Sequence, residues 1–487
     1  MPIFLPDQLA QWSAGKWTTI PASPLRSFGI DTRKLAVGDV FVALKTGKRD
    51  GYDYVADAEA AGACAALVAR ANPAIGLPQL VVADTLAAFQ AIAREHRRTF
   101  RGPVVGISGS AGKTSTKDLL SLLLGGASSG VDVTEGNLQQ TRVSSDESYT
   151  GGVLATEGNL NNHIGVPLTL TRIDPAHHQF AVIEAGISEP GEMATLAQMI
   201  EPDVAIITLV APAHTEELGG IDGVAQEKSE LAARTWAGGV AIFPRSVAEF
   251  APFRGLNVRT LVVERTESAA PSSAPKNAVH FSVIHREQTT RIVLVREGVS
   301  SEFEFRRVSD GMAQNAALAI TAARWLGVTD QAIRSRLPGW KSGKLRGEIR
   351  LLDGRLLYLD CYNANPASMA DALAAFEAVA PANEPRLFVL GCMEELGAES
   401  TAHHFALGRS LRLREEDQLF VIGSHAHDVC AGVLQQGDFT RQIQIVSTLE
   451  PVSAFLADWR GSIFVKGSRR YQLEKILEVQ TTFPLPC

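Results

Sequence analysis

Short apolar runs separated by polar or helix-forming stretches recur along the whole chain, and their spacing divides it into three. Before residue 100 the runs GDVFVAL (Gly38–Leu44), CAALVA (Cys64–Ala69) and QLVVAD (Gln79–Asp84) alternate with Ala-rich stretches, which predicts a small α/β module. From Pro103 to about Pro244, the runs FAVIEAG, VAIITLV and GVAIFP alternate with helical segments such as GEMATLAQMI, the pattern of a parallel sheet covered by helices. SAAPSSA (Ser268–Ala274) reads as a solvated connection, and VHFSVI, RIVLV and EFEFRRV after it read as a local antiparallel patch without visible chemistry. Beyond the helical stretch Ala313–Leu326, strands are expected at LLYLD, RLFVL, QLFVI and SIFVK, followed by the polar loops CYNANP, GCMEELG, GSHAH and KGSRR. In an open α/β sheet ligands gather beyond the carboxyl ends of the strands, so these four loops are expected to share one edge. The expected fold is α/β in three domains: a small N-terminal module over 1–100, a central phosphate-loop parallel-sheet domain over 101–340, and a Rossmann-like domain over 341–487.

Bulk properties narrow the function. The 487 residues suffice for roughly three domains of about 150 each. A composition that is 45% hydrophobic and 20% charged excludes extended disorder. A formal net charge of −7 offers no electrostatic reason to expect nucleic acid or an anionic membrane as the main partner. No apolar run approaches the roughly 18 residues of a spanning helix, and no basic segment leads an apolar one as in a secretory signal. Five cysteines without CxxC spacing suit a reducing cytoplasm, with neither a zinc site nor a disulfide framework expected.

The sharpest chemical signal is VVGISGSAGKTSTKDLL, Val104–Leu120. An apolar strand feeds a Gly/Ser loop that opens into a helix, and leading helix N–H groups and the helix dipole suit a nucleotide phosphate. Gly109, Ser110, Gly112, Lys113, Thr114 and Ser115 are the expected ATP-binding residues, with Lys113 neutralising terminal phosphates and the Thr114 hydroxyl on Mg²⁺. The spacing is offset from the usual phosphate loop, because Ile107 stands where its first glycine belongs.

That offset form resembles the Mur ligase family of peptidoglycan synthesis. NLNNHIGVPLTL (Asn159–Leu170), DCYNANPASM (Asp360–Met369) and GCMEELG (Gly391–Gly397) resemble the branch of that family that adds D-alanyl-D-alanine. Asp31-Thr32-Arg33, followed by GDVFVAL and DGYDYV, is similar to that branch's uridine-nucleotide module, and KGSRR (Lys466–Arg470) to its closing motif. The resemblance implies Glu184, at the end of AVIEAG, and His214, after VAIITLV, as Mg²⁺ ligands beside Thr114. Read alone, each is a solvated loop residue. Lys228, read alone an exposed helix lysine, aligns with a lysine that the family carbamylates with CO₂, which turns a cation into a metal-binding carboxylate. Lys113, Lys228 and His214 are thus the implied catalytic residues. Asn315, Arg346 and Asp360 are implied ATP contacts; Asp31, Thr32, Arg33, Asn159, Asn161, Asn162, Tyr362, Asn363 and Asn365 are implied substrate contacts. Gly311 and Met312 replace a His-Asn pair of the family, and Leu359 and Cys392 stand where it has Asp, three polar losses expected near one crevice. His404 matches a family histidine, with a helix-surface histidine as the plain alternative.

The resemblance implies an ATP-dependent amide ligase of the cytoplasm, acting as a monomer without membrane insertion. It would join D-alanyl-D-alanine to a UDP-N-acetylmuramoyl tripeptide through an acyl phosphate, with the first domain binding the UDP-sugar. Three readings compete: a sister ligase with another amino acid acceptor, a non-catalytic ligase-like nucleotide-binding subunit, and a generic phosphate-loop kinase or ATPase, which would leave YNANP and the first module unused. One further feature stands apart from these motifs: TEGNL at Thr134–Leu138 recurs 22 residues later at Thr156–Leu160. The second copy, followed by NNHIGVPLTL, is expected to be the working loop. The segment Gln139–Gly151 is expected to be a surface excursion, so that deletion of Val131–Gly152 leaves activity in place.

Overall fold

The computed structural model describes residues 2–47, 49–126, 152–267 and 275–477. The first TEGNL copy, the excursion after it and the Ser268–Ala274 connection lie outside the described residues.

Three sheets follow one another along the chain. The first orders Lys16–Trp17, Gln79–Val81, Ala65–Val68, Asp39–Val42 and Ser27–Gly29, parallel except for the antiparallel edge pair Lys16–Trp17 with Gln79–Val81. Helix Thr85–Thr99 covers it because Ala88, Phe89, Ile92 and Ala93 repeat at helical spacing and are all buried. The Asp84 carboxylate starts this helix by accepting from the Ala87 N–H at 2.9 Å. The same helix docks the module on the centre of the molecule: buried Arg97 donates to the Ile200 carbonyl at 2.8 Å, and His96 Nε2 meets the Ile173 carbonyl at 2.7 Å.

Among the described residues the central sheet has nine strands. Gly152–Ala155, His178–Glu184, Val104–Ser108, Val204–Ile207, Val240–Pro244 and Thr260–Arg265 run parallel. Near-continuous burial of His178–Glu184, Val104–Ser108, Val204–Ile207 and Val240–Pro244 explains their unbroken apolar runs. Ala278–His285 pairs parallel with Thr260–Arg265 and antiparallel with Thr289–Arg296, which pairs antiparallel with Val299–Arg306. The antiparallel patch is therefore an extension of the central sheet rather than a separate unit. Helices Lys113–Leu123 and Asp310–Trp325 share one core with these strands. Truncating a core leucine such as Leu120, fully buried there, to Ala would cost about 2–5 kcal/mol.

The third sheet orders Glu348–Leu352, Arg355–Asp360, Ser462–Lys466, Arg386–Gly391, Gln418–Ile422 and Ile443–Val446. All but the first of its pairings are parallel, so the four polar loops leave one edge as expected. Only part of that edge reaches a cavity.

Candidate active site

Between the central and C-terminal sheets lies a cavity of about 690 Å³, within the size range of sites that hold small molecules. Its floor is the phosphate loop. Gly109 has φ +149°, and a Cβ there would stand 1.9 Å from Thr208 Oγ1; Gly112 has φ +80° and would meet Asn315 Nδ2 at 2.4 Å. Only glycine satisfies both the backbone and the space at these two positions. The Ser110 hydroxyl is spent on the loop's own shape, donating to the Ala211 carbonyl at 2.8 Å. Lys113 Nζ curls back to the Gly109 carbonyl at 2.8 Å, and burial pushes its pKa down, with Glu184 acting against that and Arg346 adding to it. Thr114 and Ser115 stand on the same wall.

Glu184, His214 and Lys228 come from three separate segments and line the cavity together. Glu184 is 2% exposed; Asn161 Nδ2 donates to its Oε1 at 2.8 Å, while Oε2 is buried without a protein partner. His214 sits at φ +55°, and the Glu395 carboxylate pairs with its Nδ1 from the C-terminal domain. Burial pushes the His214 pKa down, Glu395 opposes this, and Lys113 and Lys228 reinforce it. Lys228 is not the exposed helix lysine its segment suggests. It is 3% exposed, and desolvation with nearby Lys113 brings its pKa down to about 7. Among the described residues no three His, Cys, Asp or Glu side chains cluster as a metal site. The orphaned Glu184 oxygen beside His214 and an amine of near-neutral pKa nevertheless fit a divalent cation, provided the lysine supplies an oxygen ligand.

The C-terminal domain forms the roof. Tyr362 stacks under the Arg346 guanidinium at 3.8 Å from its centroid. Asp360 is held by nearly fully buried Lys466 at 2.6 Å, and Lys466 also reaches the Asn363 carbonyl at 3.3 Å. Asn365 caps helix Pro366–Glu377 through the Ser368 N–H, and its Nδ2 donates across the domain boundary to the Ser110 carbonyl at 3.0 Å. Its amide is therefore committed to the fold, whatever it adds to substrate. Asn162 is similarly engaged, accepting from the Gly165 N–H at 2.9 Å, and Asn363 accepts from the Ala364 N–H at 2.9 Å; both stand with Asn159 on the cavity wall.

The expected residues from Gly109 to Asn365 thus share one cavity. Asp31, Thr32 and Arg33 do not line it. They form a turn in the first module, half-buried at Asp31 and Thr32 and exposed at Arg33, where the Arg33 guanidinium beside Asp31 holds its carboxyl down at about 2. Two of the three supposed polar losses are not at the crevice. Leu359 and Cys392 are buried in the two cores flanking the third sheet, where an Asp would be desolvated. Gly311 is at the cavity, and its N–H donates to Asp371 Oδ1 at 2.8 Å. His404 is fully buried rather than on a helix surface: Nδ1–H donates to the Ser400 carbonyl and Nε2 accepts from the Met393 N–H.

Sequence reasoning missed Asp371, Arg306 and Arg307. The first becomes relevant only through a contact across domains. Arg306 ends strand Val299–Arg306, Arg307 follows it, and both line the cavity, in the very segment read as free of chemistry. Adjacent cations at a strand end were the available signal.

Comparison with known proteins agrees with this arrangement. The Mur ligase middle domain matches residues 107–323, the Mur ligase glutamate ligase domain 346–469, and the Mur ligase catalytic domain 25–97. The UDP-N-acetylmuramoyl-tripeptide--D-alanyl-D-alanine ligase of Escherichia coli K12 is 32% identical over 452 residues, covering 92% of each chain. That of Bacillus subtilis 168 is 28% identical and covers 93% of each. A crystal structure of MurF from Acinetobacter baumannii superimposes with a TM-score of 0.81 at 27% identity, over 98% of this chain and 99% of that one. With the phosphate loop, the acid–histidine–lysine set and the YNANP roof around one cavity, and similarity along nearly the whole length, the chain belongs to the Mur ligase family.

Proposed function

We propose that this chain is an ATP-dependent ligase that joins D-alanyl-D-alanine to a UDP-N-acetylmuramoyl tripeptide in cytoplasmic peptidoglycan precursor synthesis, acting as a monomer. The observation that carries the reading is the convergence of Lys113, Glu184, His214, Lys228 and Tyr362 on one interdomain cavity, in a chain that resembles enzymes of that name from end to end.

The tripeptide carboxylate attacks the γ-phosphorus of ATP, ADP leaves, and an acyl phosphate forms. The amine of the dipeptide then attacks the acyl carbon and loses a proton, and phosphate departs from the tetrahedral intermediate. Two anions must first be brought together. Lys113, whose burial makes an unpaired charge costly, gains from a phosphate partner, and the N–H groups leading helix Lys113–Leu123 face the same charge. Thr114, Glu184, His214 and Lys228 would hold Mg²⁺, which when bound neutralises phosphate charge. Lys228 joins that set only as a carbamate, and its pKa of about 7 leaves much of the amine neutral and able to react with CO₂. The acyl phosphate must then be kept from water. The Asn365 bond to the Ser110 carbonyl holds the roof over the loop. Asp31, Thr32 and Arg33 would serve the uridine nucleotide at the far end of the substrate. Asn315, Arg346 and Asp360 would serve ATP; Asn159, Asn161, Asn162, Tyr362, Asn363 and Asn365 would serve the peptide ends.

One assay tests the proposal. The purified chain is incubated with ATP, Mg²⁺, UDP-muramoyl tripeptides and D-Ala-D-Ala, meso-diaminopimelate, lysine or glutamate, and the product is weighed. Ligation only of the single amino acids would assign a sister activity, and ADP release without product would assign a nucleotide-binding or ATPase role. Lys113→Ala is expected to lower ADP release by at least about 10²-fold with an unchanged melting temperature; near-normal turnover would remove Lys113 from the mechanism.

A further inference from the structure

Thr156 stands outside the cavity, directly after strand Gly152–Ala155, and opens the second TEGNL copy. It is 1% exposed, and three hydrogen bonds meet on it. Its N–H donates to the Val182 carbonyl at 3.0 Å. Its Oγ1 accepts from the Glu184 N–H at 2.9 Å, and its carbonyl accepts from Lys117 Nζ at 2.6 Å. Lys117 is itself buried, one turn beyond Lys113 on the same helix, and paired with Asp118 at 2.9 Å. The loop that begins at Thr156 then returns to the same strand end. The Gly186 N–H donates to the Asn161 carbonyl at 2.8 Å, and Asn161 Nδ2 takes up Glu184 Oε1. Backbone and one carboxylate oxygen of Glu184 are fixed by this loop, and only Oε2 is left over.

We propose that Thr156 and Asn161 are positioning residues that hold Glu184 with a single free oxygen for a divalent cation, and that this is what makes the second TEGNL copy the working one. The inference rests on the reading of Glu184 as a cation ligand. The two copies differ where it matters: the residues after TEGNL are Gln139 and Gln140 in the first and Asn161 and Asn162 in the second. A glutamine at 161 would place its amide one methylene too far to meet Oε1 from the same backbone position. Partners of this kind orient ligands of a metal and are worth about 10–100-fold in its affinity.

The test is Mn²⁺ titration of the full chain, followed by the free-ion EPR signal, with melting temperature recorded for each variant. Thr156→Val keeps the shape and removes the acceptor; Asn161→Gln installs the residue of the first copy; Thr156→Ser restores the hydroxyl. Weakening of Mn²⁺ binding by about 10–100-fold in the first two, with Ser near the parent, is the expected result. A purely structural role would lower the melting temperature of Thr156→Val and leave Mn²⁺ affinity in place, which overturns the proposal. Should that variant fail to fold, Asn161→Gln decides alone. Glu184→Gln separates the levels: if it binds Mn²⁺ as the parent does, the ligand reading and the inference both fall. If it loses binding while Thr156→Val and Asn161→Gln keep it, only the positioning role falls.

Discussion

The Lys228 amine has a pKa of about 7 because burial removes water from its charged form and Lys113 stands near. CO₂ adds only to a neutral amine, so carbamate should be abundant above pH 7 and decline by roughly tenfold per pH unit well below it. Incubation with ¹³C-bicarbonate is expected to give one protein-bound carbamate resonance that Lys228→Met lacks, with ligase activity falling in CO₂-free buffer and returning on bicarbonate addition. A resonance that persists in Lys228→Met would place the carbamate elsewhere. The same shift has a consequence for stability. The unfolded chain keeps this proton up to the ordinary value of 10.5, so without CO₂ stability should rise as pH climbs from about 7 toward that value. Nothing in GVAQEKSEL announces this, since the lysine is buried only once its helix packs, and the second cause, Lys113, lies more than a hundred residues earlier.

At the scale of elements, helix Ser400–Ser410 supports the loop Gly391–Gly397 through one histidine. His404 bonds the Ser400 carbonyl and the Met393 N–H only as the neutral tautomer with its proton on Nδ1. Its pKa is lowered by burial first; the stacked His425 ring adds to this, and the Ser400 carbonyl, Asp428 and Glu394 oppose it. A histidine with a lowered folded pKa leaves the unfolded state more protonated, so its contribution is present above about 6.5 and is lost as pH falls below that. Acid melts should show His404→Gln less pH-sensitive than the parent between pH 6.5 and 5, though about 1–3 kcal/mol less stable at pH 8 if the Met393 N–H is left unpaired. Equal acid slopes would remove His404 from the titration. Periodicity showed the helix; which side of it was buried depended on helix Ala426–Leu434, packed against it from later in the chain.

At the scale of the molecule, the roof closes on the central domain through single polar contacts. Thr215 Oγ1 donates to the Leu396 carbonyl at 3.2 Å, Asn365 reaches Ser110, and Asp371 receives the Gly311 N–H at the start of helix Asp310–Trp325. A Cβ on Gly311 would lie 2.6 Å from Asp371 Oδ2, so the carboxylate that receives the residue 311 N–H, and is also bonded by the Ser309 side chain, must shift. Gly311→Ala should therefore open the interface, raise the KM for ATP roughly tenfold for a loss of about 1.4 kcal/mol, and enlarge the radius of gyration measured by small-angle scattering. Unchanged scattering and KM would show that the contact does not hold the domains. The glycine that looked like a lost polar group is the position that lets a carboxylate from the other domain approach a helix N-terminus.

Strand periods, the offset phosphate loop and the motif strings were legible in the sequence because they are local: each depends on neighbours a few residues away. They were enough for three α/β sheets and for the expected residues between Gly109 and Asn365 that line the cavity. The depressed Lys228 amine, the commitment of Asn365 to a cap and a domain contact, the removal of Leu359 and Cys392 from the crevice, and the support of Glu184 by Thr156 were decided only in three dimensions. Each is a matter of desolvation or of a hydrogen bond between segments far apart in the chain, and neither quantity exists until the sheets have packed.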